Sequence, residues 1–323
     1  MSSYEQLLIG IDLGGTTVKL AFITQEGDII EKWEIPTDKT GRSIISDIAT
    51  ALNNKMTEMS LTKGQFLGVG MGAPGPTNFE EGIVYKTTNL GWENYPLQAE
   101  LEEKIGLKAV IDNDANVAAI GEMWKGAGDG SKDIICVTLG TGVGGGIISN
   151  GEVIRGTNGA GGEIGHITAV PEGGARCGCG KTGCIETIAS ATGIVRLATE
   201  AIQGHYGASQ LRDEFESTGE LSSKSIFEAA AEGDPIAQEV IDSVAFYLGL
   251  SMSHIANGLN PEKIVIGGGV SKAGDQLLKP LKQQFDRFAF PRVAEAVELT
   301  IATLGNDAGV IGAAYLAKTK LAK

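Results

Sequence analysis

The sequence predicts an α/β fold of two similar halves with a cleft between them. Two observations predict it. A glycine-rich series of three strands occurs near the N-terminus and again from Asp133. Each series is followed by alternating helical and strand patterns. The order β-β-β-α-β-α is therefore the same in both halves, and such internal repetition indicates a duplicated architecture.

The first half opens with LLIGIDLGGTTVKLAFITQEGDIIEKWEIP, residues 7–36, whose apolar pattern predicts three strands. The first two strands meet at a glycine-rich turn, and the second and third meet at the turn Gln25-Glu26-Gly27-Asp28. Beyond them the apolar spacing predicts, in chain order, a helix over 43–59, a strand over 66–71, a helix over 97–105 and a strand over 108–111.

The second half repeats the pattern in DIICVTLGTGVGGGIISNGEVIRG, residues 133–156. Asn150-Gly151 lies between apolar runs there and is a strong hairpin signal. Further along, Asp234 and Pro235 are typical of an N-cap and a first helical residue, and they predict a helix that extends to about Asn257. The remaining elements are a strand in KIVIGGG, a helix over 277–288, a strand in VELTIATL and a last helix from about 308.

Length and charge limit the possible functions. The 323 residues are enough for two domains, and we expect a smaller one of residues 1–115 plus 307–323 and a larger one of residues 116–306. The 26 Lys and Arg residues are outnumbered by 40 Asp and Glu residues, which gives a net charge of −14. This acidity argues against nucleic acid or an anionic membrane as a partner, because both favour clustered basic residues.

We expect a cytoplasmic protein. The N-terminus, MSSYEQLLIGIDLGG, lacks the basic stretch of a signal peptide. No uncharged apolar run approaches the roughly 18 residues that suggest a membrane span. Four cysteines in a chain of this length do not resemble the disulfide framework of a secreted protein.

Glycine-rich loops in both halves suggest that the protein binds a nucleotide. GIDLGGTTVK, residues 10–19, and LGTGVGGG, residues 139–146, let the backbone approach phosphate groups closely, and Asp12 could hold Mg²⁺ through water. A third cluster, IGGGVSKAG from Ile266, could approach the base or ribose. The predicted nucleotide-binding residues are Asp12, Gly14, Gly15, Thr16, Thr17, Lys19, Gly140, Thr141, Gly142, Gly268 and Gly269.

These loops have two other interpretations. Each loop alone could be a glycine-filled hairpin without a ligand, because glycine commonly marks turns. The second loop also satisfies the dinucleotide fingerprint G-x-G-x-x-G, but that fingerprint leads from a strand into a helix, whereas a strand and a hairpin turn follow here. Two symmetric loops, one in each half, favour a nucleotide other than NAD.

A candidate general base follows the fourth strand of the first half, in VIDNDANVAAIGEMW, residues 110–124. Asn113 and Asp114 come at the carboxyl end of that strand, where ligands bind in open α/β sheets. Asp114 could accept a proton from a hydroxyl group, while Asn113 orients the same substrate. The alternative is that Asp114 only caps the helix that follows.

The segment RCGCGKTGC, residues 176–184, has three of the four cysteines. Its Gly-Lys-Thr could end a phosphate-binding loop, but Ala175 occupies the position of the first glycine of that motif. A disulfide is disfavoured in a reducing cytoplasm. A Cys₃His set, which suits tetrahedral structural Zn²⁺ without an open position, is made of His166, Cys177, Cys179 and Cys184.

These motifs resemble the signature of the ROK family of sugar kinases and sugar-responsive repressors. The resemblance rests on EIGH (163–166), CGCGKTGCIE (177–186), DLGGT (12–16), GAPG (72–75), DND (112–114), LGTGVGGG and GNDAG (305–309), in family order. Within the family, NLGW (89–92), GEMWKGAGDG and ETIASATGIVR are similar to the glucokinases of Gram-positive bacteria. The resemblance implies a duplicated ribonuclease-H-like fold of the actin/hexokinase type.

The resemblance also implies an activity: ATP-dependent transfer of phosphate, with Mg²⁺, to the 6-hydroxyl of glucose. Asp114 would be the general base, and His166 would use one ring nitrogen for Zn²⁺ and the other for the sugar. The structural zinc would order the sugar-binding loop. The residues implied in sugar binding are Gly75, Thr88, Asn113, Asp114, Glu163, His166 and Glu186.

Several alternatives stay open. Related kinases act on N-acetylmannosamine, N-acetylglucosamine or fructose, and some relatives use polyphosphate as the donor. A sugar sensor without catalysis is a further alternative, although Asp114 and both glycine loops argue against it. Family repressors have an N-terminal helix-turn-helix, and only about eleven residues precede Asp12 here. The resemblance implies a homodimer or homotetramer.

Overall fold

The computed structural model describes residues 6–87, 90–204 and 207–322. Its strands are β1 Leu7–Leu13, β2 Thr17–Ile23, β3 Ile29–Pro36, β4 Phe66–Ala73, β5 Thr77–Asn78, β6 Ile83–Lys86, β7 Glu93–Tyr95, β8 Ala109–Asn113, β9 Ile134–Leu139, β10 Val143–Ser149, β11 Glu152–Val153, β12 Lys263–Gly267 and β13 Glu298–Ile301. Its helices are α1 Ile44–Glu58, α2 Leu97–Ile105, α3 Asp114–Lys125, α4 Glu186–Ala189, α5 Ala191–Gly204, α6 Gln210–Thr218, α7 Ser223–Ala231, α8 Pro235–Leu259, α9 Asp275–Phe288, α10 Pro291–Ala296 and α11 Ala308–Leu321.

Two five-stranded sheets have the same strand order. One has the order β3-β2-β1-β4-β8 and the other has the order β11-β10-β9-β12-β13. In the first sheet β1 is antiparallel to β2 and parallel to β4, and β4 is parallel to β8. In the second sheet β12 is parallel to both β9 and β13. The predicted duplication is therefore confirmed.

Contacts between residues group the chain into two compact units. The first consists of residues 1–132, 146–162 and 304–323, and the second consists of residues 133–145 and 163–303. The domain boundaries expected from the sequence, near residues 115 and 307, stay a prediction.

The strand β1 is buried on both faces, which explains its nearly continuous apolar sequence LLIGIDL. Ile9 and Ile11 lie in a cluster with residues of α1 and α2, whereas Leu8 lies in a cluster with residues of α11. Glycines allow α11 to approach the sheet: a Cβ on Gly70 of β4 would lie 1.7 Å from the carbonyl oxygen of Ala313. The backbones of the helix and the sheet are thus in direct contact.

In the second unit the longest helix, α8, begins as the sequence predicts. Asp234 is its N-cap, with Pro235 at the first helical position, and Asn260 ends it in a left-handed conformation. Twelve of its residues are buried, among them Val240, Val244 and Leu248. The helix extends two residues beyond the predicted end.

Other elements were not predicted. A small sheet with the order β5-β6-β7 follows β4, and α6 lies in a predominantly polar stretch in which Leu211 is the buried residue. The hairpin turn at Asn150-Gly151 is confirmed, with φ values of 52° and 79°. Within the described ranges, no helix is both long enough and apolar enough to cross a membrane.

Candidate functional site

In the first unit, three motifs meet at one sheet edge. The parallel register pairs Asp12 with Gly72 and Gly72 with Asp112, and the next pair is Ala73 with Asn113. DLGGT, GAPG and DND therefore follow neighbouring strands at their carboxyl ends. Ligands bind at this edge of open α/β sheets.

The first glycine loop is a tight turn between β1 and β2. The N–H of Gly14 donates to the carbonyl oxygen of Thr17 at 3.0 Å, and the hydroxyl of Thr37 donates to the carbonyl oxygen of Gly14 at 2.8 Å. Gly15 and Thr16 are exposed at the tip of the turn. The turn is held by its base, while its tip faces solvent, as a loop that binds phosphate oxygens requires.

Asp12 lies beside this loop in a mixed electrostatic environment. Its Oδ2 is 3.5 Å from the Nζ of Lys19. Burial raises the pKa of the Asp12 carboxyl above its usual value; Lys19 partly opposes this effect, and Glu34 adds to it. A divalent cation would lower that pKa, because its charge favours the carboxylate.

Asn113, and not Asp114, is the N-cap of α3. The Oδ1 of Asn113 accepts the N–H groups of Ala115 at 2.9 Å and Asn116 at 3.3 Å, and its Nδ2 donates to the carbonyl oxygen of Gly75 at 3.1 Å. Asp114 is the first residue of α3, and its Oδ1 accepts the N–H of Ala115 at 2.8 Å. Asn113 thus provides the capping function that the sequence left open for Asp114.

An ion pair that the sequence did not reveal lies beneath this edge. Asp112 is fully buried, and its Oδ2 accepts the Nε of Arg155 at 2.8 Å and Nη2 at 2.7 Å. Its Oδ1 accepts the N–H of Asn113 at 2.8 Å and the Nδ2 of Asn116 at 2.9 Å. The guanidinium of Arg155 also lies 3.7 Å from the ring centre of Phe79. Asp112 therefore holds the start of α3 through two hydrogen bonds, to Asn113 and Asn116, and is itself held by Arg155.

In the second unit, two glycine clusters end neighbouring parallel strands. Thr138 of β9 pairs with Gly267 of β12, so the loop at 140–142 and the pair at 268–269 lie side by side. Gly268 has φ +85°, and a Cβ there would lie 2.4 Å from the carbonyl oxygen of Leu139. The structure thus brings these predicted nucleotide-binding residues together.

A cavity of about 320 Å³ adjoins Gly269. Phe227, Val270 and Ala273 contribute apolar surface to it. The remaining lining residues include Lys224, Glu228 and Lys272, which carry charge. An apolar cavity with a few polar groups is typical of sites for small molecules and cofactors.

The cysteine segment forms a compact turn around a possible metal site. The ligand atoms of His166, Cys177, Cys179 and Cys184 all lie within 4.8 Å of one another. The Nδ1 of His166 is 3.6 Å from the Sγ of Cys177, and the Sγ atoms of Cys179 and Cys184 are 3.7 Å apart. That sulfur separation is far longer than a disulfide bond of about 2.05 Å. Gly180-Lys181-Thr182 lies within this turn, which closes with the N–H of Cys177 donating to the carbonyl oxygen of Lys181.

The three cysteines differ in their environments. Burial raises the pKa of the Cys177 thiol to about 12 and also raises the pKa of Cys184. The pKa of Cys179, which is exposed, is lowered, chiefly by a hydrogen bond from the backbone N–H of Lys181. A bound cation would favour the thiolate form at all three positions.

Two predicted sugar-binding carboxylates adjoin the cysteine turn. The Nε2 of His166 is 3.8 Å from the Oε2 of Glu163. The Oε1 of Glu186 is 3.5 Å from the Sγ of Cys177, and its Oε2 accepts the N–H of Val143 at 3.0 Å. The second unit therefore groups Glu163, His166 and Glu186, and the first unit groups Gly75, Asn113 and Asp114. Thr88 lies outside the described residues.

The two matching sheets define a duplicated ribonuclease-H-like fold of the actin/hexokinase type, as expected. The ROK family profile matches residues 8–320. The chain belongs to the ROK family.

Individual relatives match along nearly the whole chain. A glucokinase of Halalkalibacterium halodurans is 55% identical over 316 residues, which are 97% of this chain and 96% of that protein. A glucokinase of Thermotoga maritima is 36% identical and covers 97% of this chain and 98% of its own length. The structure of a ROK family glucokinase from Streptomyces griseus, in complex with glucose and AMPPNP, aligns with a TM-score of 0.79 at 34% identity, over 97% of this chain and 99% of that one. The family resemblance expected from the motifs is confirmed.

Proposed function

We propose that the protein is a glucokinase that transfers the γ-phosphoryl group of ATP to the 6-hydroxyl of glucose. The observation that carries the proposal is the meeting of DLGGT, GAPG and DND at one edge of a parallel sheet. That edge provides a turn for phosphate oxygens and a carboxylate for a hydroxyl proton. The 55% identity to a glucokinase over nearly the whole chain supports glucose as the acceptor.

Asp114 is the general base in this proposal. It begins α3 directly after β8, and its placement is fixed by the neighbouring cap residue Asn113. The amide of Asn113 has two Nδ2 hydrogens, and the one that does not bond to Gly75 can donate to a sugar oxygen. Phosphoryl transfer requires little covalent chemistry from a protein, so fixed positions and fixed charges provide most of the catalysis.

The remaining sugar hydroxyls require partners, because a buried hydroxyl without a hydrogen bond is costly. We assign this role to Gly75, Thr88, Glu163, His166 and Glu186 together with Asn113. In the second unit, His166 directs Nδ1 to the cysteines and Nε2 toward Glu163, which agrees with a ring that binds metal on one side and sugar on the other. The same groups would discriminate between glucose and other hexoses.

ATP is the donor that we favour over polyphosphate. The cavity beside Gly269 has apolar surface from Phe227 and Val270, which suits the base of a nucleotide. A polyphosphate chain has no group that would use such a surface. The loops at 14–17 and 140–142 would hold the phosphates, and Mg²⁺ bound near Asp12 would neutralise charge on them.

The cation that best fits the cysteine turn is Zn²⁺. A tetrahedral zinc with Zn–S bonds of about 2.3 Å places two sulfurs about 3.8 Å apart, and the Sγ atoms of Cys179 and Cys184 are 3.7 Å apart. Four protein ligands leave no open position, so the metal would be structural. It would supply rigidity to the turn that positions His166 and Glu186. A cytoplasmic location and a homodimeric or homotetrameric state stay predictions.

The proposal is tested by the release of ADP from Mg-ATP with glucose, mannose, fructose and the two N-acetylated hexosamines. We expect turnover on glucose, and Asp114→Asn should reduce kcat at least 100-fold, because general-base catalysis contributes about 10²–10⁴-fold. The same substitution at the exposed Asp213 on α6 is the matched control and should leave turnover unchanged.

The other outcomes are distinct. Turnover only on an N-acetylated hexosamine would show that this sugar, and not glucose, is the substrate of the same phosphoryl transfer. Turnover with polyphosphate but not with ATP would show that polyphosphate is the phosphate donor. Full activity of Asp114→Asn would rule out that residue as the base.

A further inference from the structure

The second glycine loop is held by one short stretch of chain, residues 186–192, which we name the anchoring segment. The Oε2 of Glu186 accepts the N–H of Val143 at 3.0 Å. The N–H of Ala191 donates to the carbonyl oxygen of Gly140 at 2.8 Å, and the hydroxyl of Thr192 donates to the carbonyl oxygen of Thr141 at 2.9 Å. Three of the four residues from 140 to 143 are thus bonded to the anchoring segment.

The anchoring segment is itself fixed to the cysteine turn. It begins two residues after Cys184, and the hydroxyl of Thr187 donates to the carbonyl oxygen of Cys184 at 2.7 Å. The intervening Ile185 is fully buried, and its N–H donates to the carbonyl oxygen of Ile167, which follows the metal-site residue His166. The anchoring segment therefore cannot shift without moving residues next to two of the four possible metal ligands.

The contact between Glu186 and the loop is close. A Cβ on Gly142 would lie 2.5 Å from the Oε2 of Glu186, so the carboxylate occupies the space that a side chain at position 142 would need. A change in the position of Glu186 would therefore act directly on the backbone of the loop.

We infer that the anchoring segment couples the cysteine turn to the nucleotide loop, so that a metal bound by the turn strengthens the binding of ATP. This inference rests on the proposed function, because it assigns the loop at 140–143 to the phosphates. It makes Thr192 a positioning residue, because its hydroxyl holds the loop through the carbonyl oxygen of Thr141. Substitution of Thr192 leaves the metal ligands intact. The metal would then support the binding of ATP as well as the binding of the sugar.

The test is the dissociation constant of ATP, measured by calorimetry without sugar. We expect removal of the metal by a chelator to weaken ATP binding at least fivefold and added Zn²⁺ to restore it. Thr192→Val should weaken it about fivefold, since a hydrogen bond contributes about 1 kcal/mol, with metal content unchanged. Thr192→Ser keeps the hydroxyl and should bind ATP like the unchanged protein.

Thr199→Val is the matched control, because that hydroxyl donates to the carbonyl oxygen of Val195 within the same helix, α5. In turnover assays Thr192→Val should raise KM for ATP and leave KM for glucose unchanged, which a general loss of structure would not do. Ala191→Pro gives a second variant: proline is tolerated at the first residue of a helix, but it has no N–H for Gly140.

The outcomes separate the inference from the proposed function. Equal ATP binding with and without metal, together with unchanged binding by Thr192→Val and Ala191→Pro, would overturn the coupling and leave the kinase proposal intact. Failure of the metal-loaded, unchanged protein to bind ATP would overturn the donor assignment and the coupling with it.

Discussion

The buried carboxylate of Asp112 shows how one residue can control a site without facing it. It accepts hydrogen bonds from Asn113, Asn116 and Arg155, so the residue before the candidate base is fixed on two sides. A buried charge with all its hydrogen bonds formed is tolerated, whereas the same charge without its partner is strongly destabilising. Arg155 is therefore required for the stability of the first unit and for the placement of Asp114.

We expect Arg155→Met to reduce the free energy of unfolding by about 3–5 kcal/mol, because it leaves the buried Asp112 carboxylate without its cation. Urea denaturation measures the loss. Arg292→Met, at an exposed position, is the matched control and should change stability by less than about 0.5 kcal/mol. The double variant Asp112→Asn/Arg155→Met should recover part of the loss. A loss below about 1 kcal/mol in Arg155→Met would contradict this account.

Part of the site was predictable from single residues. The position of Asn113 and Asp114 in the site was predictable because polar residues that directly follow an apolar strand mark the end of that strand. The sequence suggested Asp114 as the cap of α3, whereas Asn113 is the cap; both residue types suit an N-cap. The pairing of Asp112 with Arg155 was not predictable, because the partners are 43 residues apart and meet only through the tertiary path of the chain.

At the scale of elements, the N-terminus of α8 connects two helices of the second unit. The Oδ1 of Asp234 accepts the N–H groups of Ile236 and Ala237, both at 3.0 Å. Its Oδ2 accepts the hydroxyl of Ser209 at 2.8 Å and the N–H of Leu211 at 3.2 Å, at the start of α6. Burial by itself would raise the pKa of Asp234, but the hydrogen bonds from Ala237, Ser209, Leu211 and Ile236 together lower it below its usual 3.8.

Asp234→Ala should reduce the free energy of unfolding by about 1–2 kcal/mol at pH 7, as expected for the loss of an N-cap. The folded-state pKa is lower than the unfolded-state pKa, so the carboxylate contributes stability above pH 3.8, and that contribution is lost as the pH falls through the folded-state pKa. The difference between the unchanged protein and Asp234→Asn should therefore shrink as the pH falls below about 5.

Urea denaturation at a series of pH values measures both effects. Asp242→Ala, at an exposed position on the same helix, is the matched control. A difference between the unchanged protein and Asp234→Asn that stays constant from pH 7 down to pH 4 and below would show that the charge of Asp234 has no role.

The accuracy of the predicted elements followed the strength of local signals. The helix over 97–105 was predicted with its observed bounds, because Pro96 and Gly106 flank it, and the last helix was predicted with its observed start. The strands β5, β6 and β7 have two to four residues each, which is too short for apolar alternation to show. The way the anchoring segment holds the second glycine loop was not predictable either, since it depends on backbone groups of the loop, two carbonyl groups and one N–H.

At the scale of the whole molecule, the duplication explains how an acidic chain can bind an anion such as ATP. The net charge of −14 gives no general attraction for phosphate. Each half instead carries a glycine-rich turn after the first strand of its sheet, and backbone N–H groups in such turns bind phosphate without net positive charge.

The candidate metal site is a feature that the second half has and the first half lacks in the sequence, since all four cysteines and all three histidines follow residue 132. Because a metal that binds only the folded state stabilises that state by mass action, removal of the metal should lower the Tm of the second unit. We expect one Zn²⁺ per chain by elemental analysis. Cys184→Ser should lose most of it, and Cys136→Ser, a buried cysteine in β9 outside the set, should retain it.

The same variants test the link between metal and sugar. Binding of glucose should weaken at least tenfold in Cys184→Ser, because His166 and Glu186 lose the turn that positions them, while circular dichroism should show the remaining helices intact. Cys136→Ser should bind glucose like the unchanged protein. If Cys184→Ser lost the metal and still bound glucose with unchanged affinity, the cysteine turn would stabilise the second unit without positioning the sugar, and the assignment of His166 and Glu186 would be wrong.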